Sequence, residues 1–344
     1  MDTTSDHRVR LSIIVPAYNN CADLARCLSA LHVELPPDSE LIVVDDASTA
    51  ATPSVAARHG AQVLRLEKNS GPGAARNLGA ARAAGEVLLF VDADVVVTAG
   101  TLDRVIQAFA ADPALAALFG SYDDDPEAPS HVSRYRNLLH HFVHQAGETE
   151  AATFWAGLGA VRRAVFLAVG GFDAVRFPRP SIEDIELGYR LRRAGHRIRL
   201  DKILQGKHLK RWSFWSMLRT DVMRRALPWS RLILDTEHAP EDLNLRASQR
   251  LCGTLSGVAL AAFAATPWWP WLLGVGSIAL AAIAVLNRRF YALLWRRGGW
   301  KLAGIGFVLH VLYFIYSSAS FAYAALERRM WLAPARRASR TRSS

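Results

Sequence analysis

The chain has 344 residues, with 41 Lys and Arg against 31 Asp and Glu, for a formal charge of +10. The excess is local: residues 1–250 balance, whereas residues 251–344 hold 11 basic side chains and one acid, Glu327. A basic, otherwise apolar tail is not the charged polar face of a nucleic-acid binder, and 51% hydrophobic residues exclude disorder for the bulk of the chain.

The first ten residues, MDTTSDHRVR, have no apolar run. No secretory signal is read there, and the N-terminal part is expected in the cytosol. Cys21, Cys27 and Cys252 form no CxxC pair. They are expected as small, buried or half-buried hydrophobes in a reducing compartment.

Short apolar runs then alternate with helical patterns. RLSIIVPAY, ELIVVDDAS, AQVLRLEKN and EVLLFVDAD read as buried strands of a parallel sheet, with helices such as Ala22–Leu31 and Ala74–Ala84 between them. This alternation predicts an α/β fold with a Rossmann-like, mostly parallel sheet and flanking helices. Ligands of such sheets sit at the carboxyl ends of the strands. Pro16–Asn19 follow the first strand, Asp45 and Asp46 the second, and Asp92 and Asp94 the fourth. A dinucleotide fingerprint would need GxGxxG after the first strand; PAYNN stands there instead. The glycine-rich turn NSGPGAARN follows the third strand, and Pro72 suits the first position of a helix. That helix start, with Arg76 near, can face an anion or be an ordinary strand-to-helix turn.

FVDAD puts Asp92 and Asp94 two apart at the end of an apolar strand, which directs both carboxylates to one side. Paired carboxylates call for a cation, and Mg²⁺ or Mn²⁺ bridging to phosphate oxygens answers that need. A turn or helix cap is the alternative reading of a lone DxD. Glu183 and Asp184 open a predicted helix over Ser181–Ile198, where acids also suit the helix dipole. His208 follows a strand and is a candidate third metal ligand. His140, His144 and Glu148 share a helix face by their i, i+4 spacing; metal binding, an acceptor groove and a polar surface are all open for them.

Lys210–Trp229 mixes aromatic and aliphatic residues with arginines and suits the headgroup layer or packing on the catalytic domain. From Leu251 to Leu286 there is no charge. With a break at TPWWPW, that stretch reads as two short spans, and Leu302–Leu326, interrupted by His310, as a third. Arg328, Arg329, Arg336, Arg337, Arg340 and Arg342 follow.

In order, SIIVPAYN, LIVVDDAS, NSGPGAARNLGA, LLFVDAD, GAVRRAVFLAVGGFD and EDIELGYRLRRAG resemble the family-2 glycosyltransferases of the GT-A fold over about residues 10–210. The resemblance implies inverting transfer from a nucleotide-diphosphate sugar, a UDP-sugar first, with Mg²⁺ or Mn²⁺. It places Pro16, Ala17 and Tyr18 at the base pocket and Asp45 and Asp46 on the base. Gly73, Arg76 and Asp92 fall at the donor. Asp92, Asp94 and His208 fall at the metal, with Asp184 as catalytic base and Glu183 positioning it or the acceptor. Processive members carry QxxRW; here Arg211–Trp212 are present but Gln205 is too far upstream, which favours single transfer. By analogy with polyprenol-phosphate sugar synthases the acceptor is a lipid or lipid-linked molecule.

The expected organisation is a GT-A catalytic domain at 1–210, an amphipathic juxtamembrane linker at 211–250, membrane helices within 251–326 (251–267, 269–286, 302–326) and a basic tail at 327–344. Such a protein is expected in the inner membrane, multi-pass, with the catalytic domain cytosolic and no nucleic-acid partner. A membrane-tethered nucleotide-sugar-binding module and a nucleotidyltransferase are the competing functions. The intact Asp92, Asp94 and Asp184 speak against the first, and the GGFD and ED segments against the second.

Overall fold

The computed structural model describes residues 11–236 and 246–340, with side chains up to 330. The N-terminal decapeptide, residues 237–245 of the expected linker and Arg342 lie outside the described residues, as do the side chains of Arg336, Arg337 and Arg340. The chain divides into two compact units, Met1–Arg211 and Trp212–Ser344.

The first unit is built on eight strands: β1 (Leu11–Ala17), β2 (Ser39–Asp45), β3 (Gln62–Arg65), β4 (Val87–Val91), β5 (Val95–Val97), β6 (Leu115–Tyr122), β7 (Leu158–Arg162) and β8 (Arg197–His208). They form one sheet in the order β3-β2-β1-β4-β7-β6-β8-β5. The half made by β1–β4 is parallel. In the other half β7 runs antiparallel to β4 and β6, and β5 antiparallel to β8. The sheet is therefore mixed, parallel where the repeated strand–helix pattern was legible. β3 departs from the expectation of buried strands: it is the sheet edge, with Gln62 and Arg65 exposed.

Helices α1 (Cys21–Glu34), α2 (Thr52–Arg58), α3 (Pro72–Arg82), α4 (Thr101–Ala111), α5 (His131–Ala146), α6 (Arg163–Ala168) and α7 (Glu183–Arg193) flank the sheet. Their inward faces follow from helical spacing. Leu24, Cys27, Leu28 and Leu31 of α1 are buried, as are Leu102, Val105 and Phe109 of α4. Each such side chain contributes about 1.5–3 kcal/mol. Cys21, Cys27 and Cys252 are unpaired thiols, two of them buried.

In the second unit, α8 (Phe214–Thr220) runs through a π-helical turn (Asp221–Ala226) into α9 (Leu227–Asp235). The extra residue per turn brings the buried Asp221 to the Tyr316 hydroxyl, which donates to Oδ2 at 2.8 Å. α10 (Ala247–Ala265) and α11 (Leu272–Leu286) form a hairpin; Gln249 and Cys252 at its open end meet Asn287. α12 (Arg288–Arg340) is broken at Gly298–Gly299, where Gly299 has φ +67°. The break brings the Tyr291 hydroxyl to 3.0 Å from His310 Nδ1, so the lone histidine of the third apolar run has a partner. Glu327, the one acid of the basic region, accepts two bonds from Arg231 at 2.8 and 2.9 Å.

Three membrane spans are not matched by three qualifying helices. Among the described residues only Arg288–Met330 is long and apolar enough to cross a membrane, with a window of mean hydropathy 1.7 of which 28% is buried in the protein. α11 has 15 residues, about 22 Å of helix against a hydrocarbon core of ~30 Å. α10 reaches back to take in Gln249 and Arg250, which dilutes its apolar part.

Candidate active site

The carboxyl ends of β1, β2 and β4 meet at one edge of the sheet, and two loops there are fastened to each other. Asn19 (φ +50°) and Ala47 (φ +58°) hold the left-handed conformation without being glycine. Asn19 is compensated by contacts: its Oδ1 accepts from the backbone of Thr49 (2.8 Å) and Ala50 (3.1 Å), and its own N–H donates to Ser48 Oγ at 3.0 Å. Ala17 is buried, and the Tyr18 ring next to it is 49% exposed at this edge.

Asp45 and Asp46 have separate tasks. Asp45 accepts from Ser48 N at 3.1 Å and lies 3.1 Å from Arg65 Nη1. Asp46 uses both carboxylate oxygens on the glycine-rich turn: Ser70 N donates to Oδ1 (2.7 Å) and Gly71 N to Oδ2 (2.9 Å). Gly71 has φ +86°, and a Cβ there would lie 2.7 Å from the Pro178 carbonyl oxygen. Pro72 opens α3 as its sequence signal predicted. The anion at this helix start is the Asp46 carboxylate itself.

Arg76, on α3, is buried between two acids. Its Nη2 donates to Asp92 Oδ1 at 2.5 Å and its Nη1 to Glu183 Oε1 at 3.3 Å, with the guanidinium over the Phe172 ring. Gly73, one turn earlier, is buried beside Phe172 and Glu183. Glu183 Oε2 also accepts from Ser181 N. Burial, opposed by Arg76 and reinforced by Asp94, raises the Asp92 carboxyl above its ordinary value.

Asp92 and Asp94 do not lie on an extended strand, as FVDAD suggested, but in the turn that follows it. β4 ends at Val91, and Val95 N bonds Asp92 O at 2.9 Å, closing a turn. Asp92 faces Arg76, while Asp94 faces His208, with Oδ2 and Nε2 3.6 Å apart. β5 and β8 pair with Val95 opposite His208, which sets this meeting. Burial works against the Asp94 charge, but His208 and Lys210 outweigh it and lower its pKa.

Asp184 starts α7. Its Oδ2 accepts from Ala156 N (3.2 Å) and its Oδ1 from Ile185 N (2.9 Å). Burial and the neighbouring Glu183 raise its pKa to about 7, against the pull of Arg76 and these two N–H groups. α7 can approach the Thr153–Phe154 backbone because Gly188 has no Cβ.

The histidines of α5 are neither surface groups nor a metal cluster with Glu148. His144 is buried and its Nδ1 lies 2.9 Å from Gly120 O; His140 packs on Tyr122 and Trp155; Glu148 is exposed. Burial lowers the pKa of His144 to about 4 and that of His140 well below the usual value, so both are neutral.

Among the described residues no group of three or more His, Cys, Asp or Glu forms a metal site. The pair Asp94–His208 fits a divalent cation that takes its other ligands from a substrate. A lowered carboxylate and an imidazole nitrogen face each other across 3.6 Å, too far for a direct hydrogen bond. Asn137, Tyr122 and Trp155 were not singled out from the sequence. Asn137 had a signal, since with His141 and His144 it follows helical spacing.

Residues 12–170 match the family described as Glycosyl transferase family 2. The pre-mycofactocin glycosyltransferase of Mycobacterium tuberculosis is 29% identical over 296 residues, 81% of this chain and 56% of that protein. The validoxylamine A glucosyltransferase of Streptomyces hygroscopicus subsp. limoneus is 29% identical over 235 residues, 57% of this chain and 50% of that one. The chain thus spans about half the length of these relatives. Among solved structures, the mannosyltransferase PcManGT from Pyrobaculum calidifontis in complex with GDP-Man and Mn²⁺ superposes with a TM-score of 0.61 at 21% identity. The match covers 92% of this chain and 88% of that one and establishes the fold.

Proposed function

Because the chain carries a glycosyl transferase family 2 domain over residues 12–170, we propose that it transfers a sugar, with inversion, from a nucleotide-diphosphate sugar to a lipid or lipid-linked acceptor. The observation that carries the reading is Asp184, a half-buried carboxyl whose pKa is raised to about 7, next in sequence to the Glu183 that pairs with Arg76. A base half ionised near neutral pH suits removal of a proton from an acceptor hydroxyl, worth about 10²–10⁴-fold in rate. Asp184 takes that proton as the hydroxyl attacks the anomeric carbon opposite the departing diphosphate. Glu183 fixes Arg76, and Arg76 holds Asp92 at the donor.

Pro16, Ala17 and Tyr18 line the base pocket. Asp45 and Asp46 border it, and each Asp46 oxygen keeps a second lone pair for a base N–H. Gly73 leaves room on the donor side of α3. Asp94 and His208, with Asp92 beside them, would hold Mg²⁺ or Mn²⁺. A divalent ion there supplies neutralisation of the leaving diphosphate. A UDP-sugar is the first donor to test. The GDP-Man of the Pyrobaculum structure adds GDP-sugars to the panel.

Arg288–Met330 anchors the enzyme in the inner membrane with the catalytic unit in the cytosol, and the basic residues bracketing it meet anionic headgroups. The test is incubation of the purified chain with Mn²⁺, membrane lipid extract and a panel of labelled nucleotide sugars. Label passing into the organic phase is the expected result. Label confined to water-soluble product counts against the lipid acceptor, and no transfer from any donor counts against the enzyme.

A further inference from the structure

His208 is held on three sides. Its Nδ1 lies 2.7 Å from Asn137 Oδ1. Its ring stacks on Tyr122 at 4.1 Å between centroids and 7° between planes. Its Nε2 faces Asp94. Tyr122 is itself fixed from behind: His140 packs on it at 4.3 Å, the edge of Trp155 meets it at 4.8 Å, and its carbonyl oxygen is paired with His141 Nδ1 at 2.8 Å. Asn137, His140, His141 and His144 follow i, i+3, i+4, i+7 spacing on α5, so one helix face supplies Asn137 and the histidines of this support.

We infer that Asn137 is the positioning residue that presents His208 Nε2 to the divalent cation, with Tyr122 fixing the ring plane. The inference rests on the reading of Asp94 and His208 as the metal pair. An amide oxygen only accepts hydrogen bonds, so an imidazole with a single ring proton keeps it on Nδ1 and leaves the Nε2 lone pair toward Asp94. Outer partners of this kind fix the tautomer and orientation of a ligating histidine, and their loss weakens metal binding by about 10–100-fold. Asn137 is 2% exposed and His208 5% exposed, so water does not substitute readily for the missing acceptor. The buried histidines of α5 thereby gain a purpose as the wall behind a ligand.

The test is Mn²⁺ binding by the full chain in detergent, with free Mn²⁺ read by electron paramagnetic resonance as MnCl₂ is titrated. His208→Ala is the reference and should bind far more weakly than the unaltered protein. Asn137→Leu should weaken binding by about 10–100-fold. Asn137→Asp, whose carboxylate still accepts from Nδ1, should recover most of the affinity lost in Asn137→Leu. Should Asn137→Leu fail to fold, ¹⁵N-histidine spectra of the unaltered protein decide. The resonances missing in His208→Ala should then show a protonated Nδ1 and a bare Nε2. Unchanged Mn²⁺ affinity in Asn137→Leu beside a weakened His208→Ala overturns the inference, as does the opposite tautomer. Unchanged affinity in His208→Ala overturns the metal reading beneath it.

Discussion

Arg76 Nη2 donates to Asp92 Oδ1 at 2.5 Å, and this contact joins the glycine-rich turn to the DxD segment through a buried charge. Through Nη1 the same guanidinium reaches Glu183 at the start of α7, so three segments far apart in sequence depend on one side chain.

Replacing Arg76 with Met leaves Asp92 and Glu183 without their shared cation. Uncompensated buried charge of this kind costs about 3–5 kcal/mol. The expected result is a lower melting temperature by circular dichroism together with loss of donor binding. Unaltered melting would show that the bridge contributes nothing to folding.

Asp184→Asn should lower kcat by about 10²–10⁴-fold with a hydroxyl acceptor while leaving the donor dissociation constant unchanged. Turnover and donor binding measured on the same preparation separate the two effects. Unchanged turnover removes Asp184 from the role of base.

The pH dependence follows from the same carboxyl, whose folded pKa of about 7 lies above the ordinary 3.8. The ionised base increases through neutrality, so kcat/KM should rise with pH and level off above about pH 7, and this limb should disappear in Asp184→Asn. Stability runs the other way. The folded state binds this proton more tightly than the unfolded state, so the favourable contribution is complete below about pH 4 and is lost as pH rises to about 7. Denaturation midpoints across this range, compared with those of Asp184→Asn, check the sign.

Gly71→Ala introduces a side chain at φ +86° and against the Pro178 carbonyl oxygen. A cost of about 1–3 kcal/mol is expected. Asp46→Ala releases the Ser70 and Gly71 amides from the other side. Both changes should raise the KM for the donor more than they lower kcat, as steady-state kinetics at saturating acceptor would show.

Asp94→Ala should abolish the Mn²⁺ dependence of donor binding, and a chelator should do the same to the unaltered protein. Calorimetric titration of the donor with and without Mn²⁺ reads both. Metal-independent binding would refute the assignment of Asp94.

The strand–helix repeats of residues 10–94 were legible because each buried strand is a compact apolar run and each helix begins with a local signal, such as Pro72. The carboxylates at the strand ends were legible for the same reason. Their directions were not. Asp92 and Asp94 meet different partners because a turn, not the strand, carries them, and that turn is held by pairing between β5 and a strand more than a hundred residues away. The antiparallel β7 lies between β4 and β6 by long-range pairing, which local periodicity does not encode. The place of the α5 histidines stayed open because spacing shows which residues share a face without showing which way the face is turned. In the second unit, absence of charge suggested three spans where one described helix meets both length and apolarity, since it measures apolarity and not the length of continuous helix.

The break at Gly298–Gly299 sets a length. An unbroken helix over the 43 residues Arg288–Met330 would be about 65 Å long, twice the ~30 Å of hydrocarbon in a bilayer. On the proposed reading of this helix as the membrane anchor, the arginine-bearing piece before the glycines can turn along the surface, and only the longer piece after them has to match the bilayer. Activity should therefore respond to the acyl-chain length of the surrounding lipid, and straightening the break with alanines should shift the preferred bilayer thickness upward.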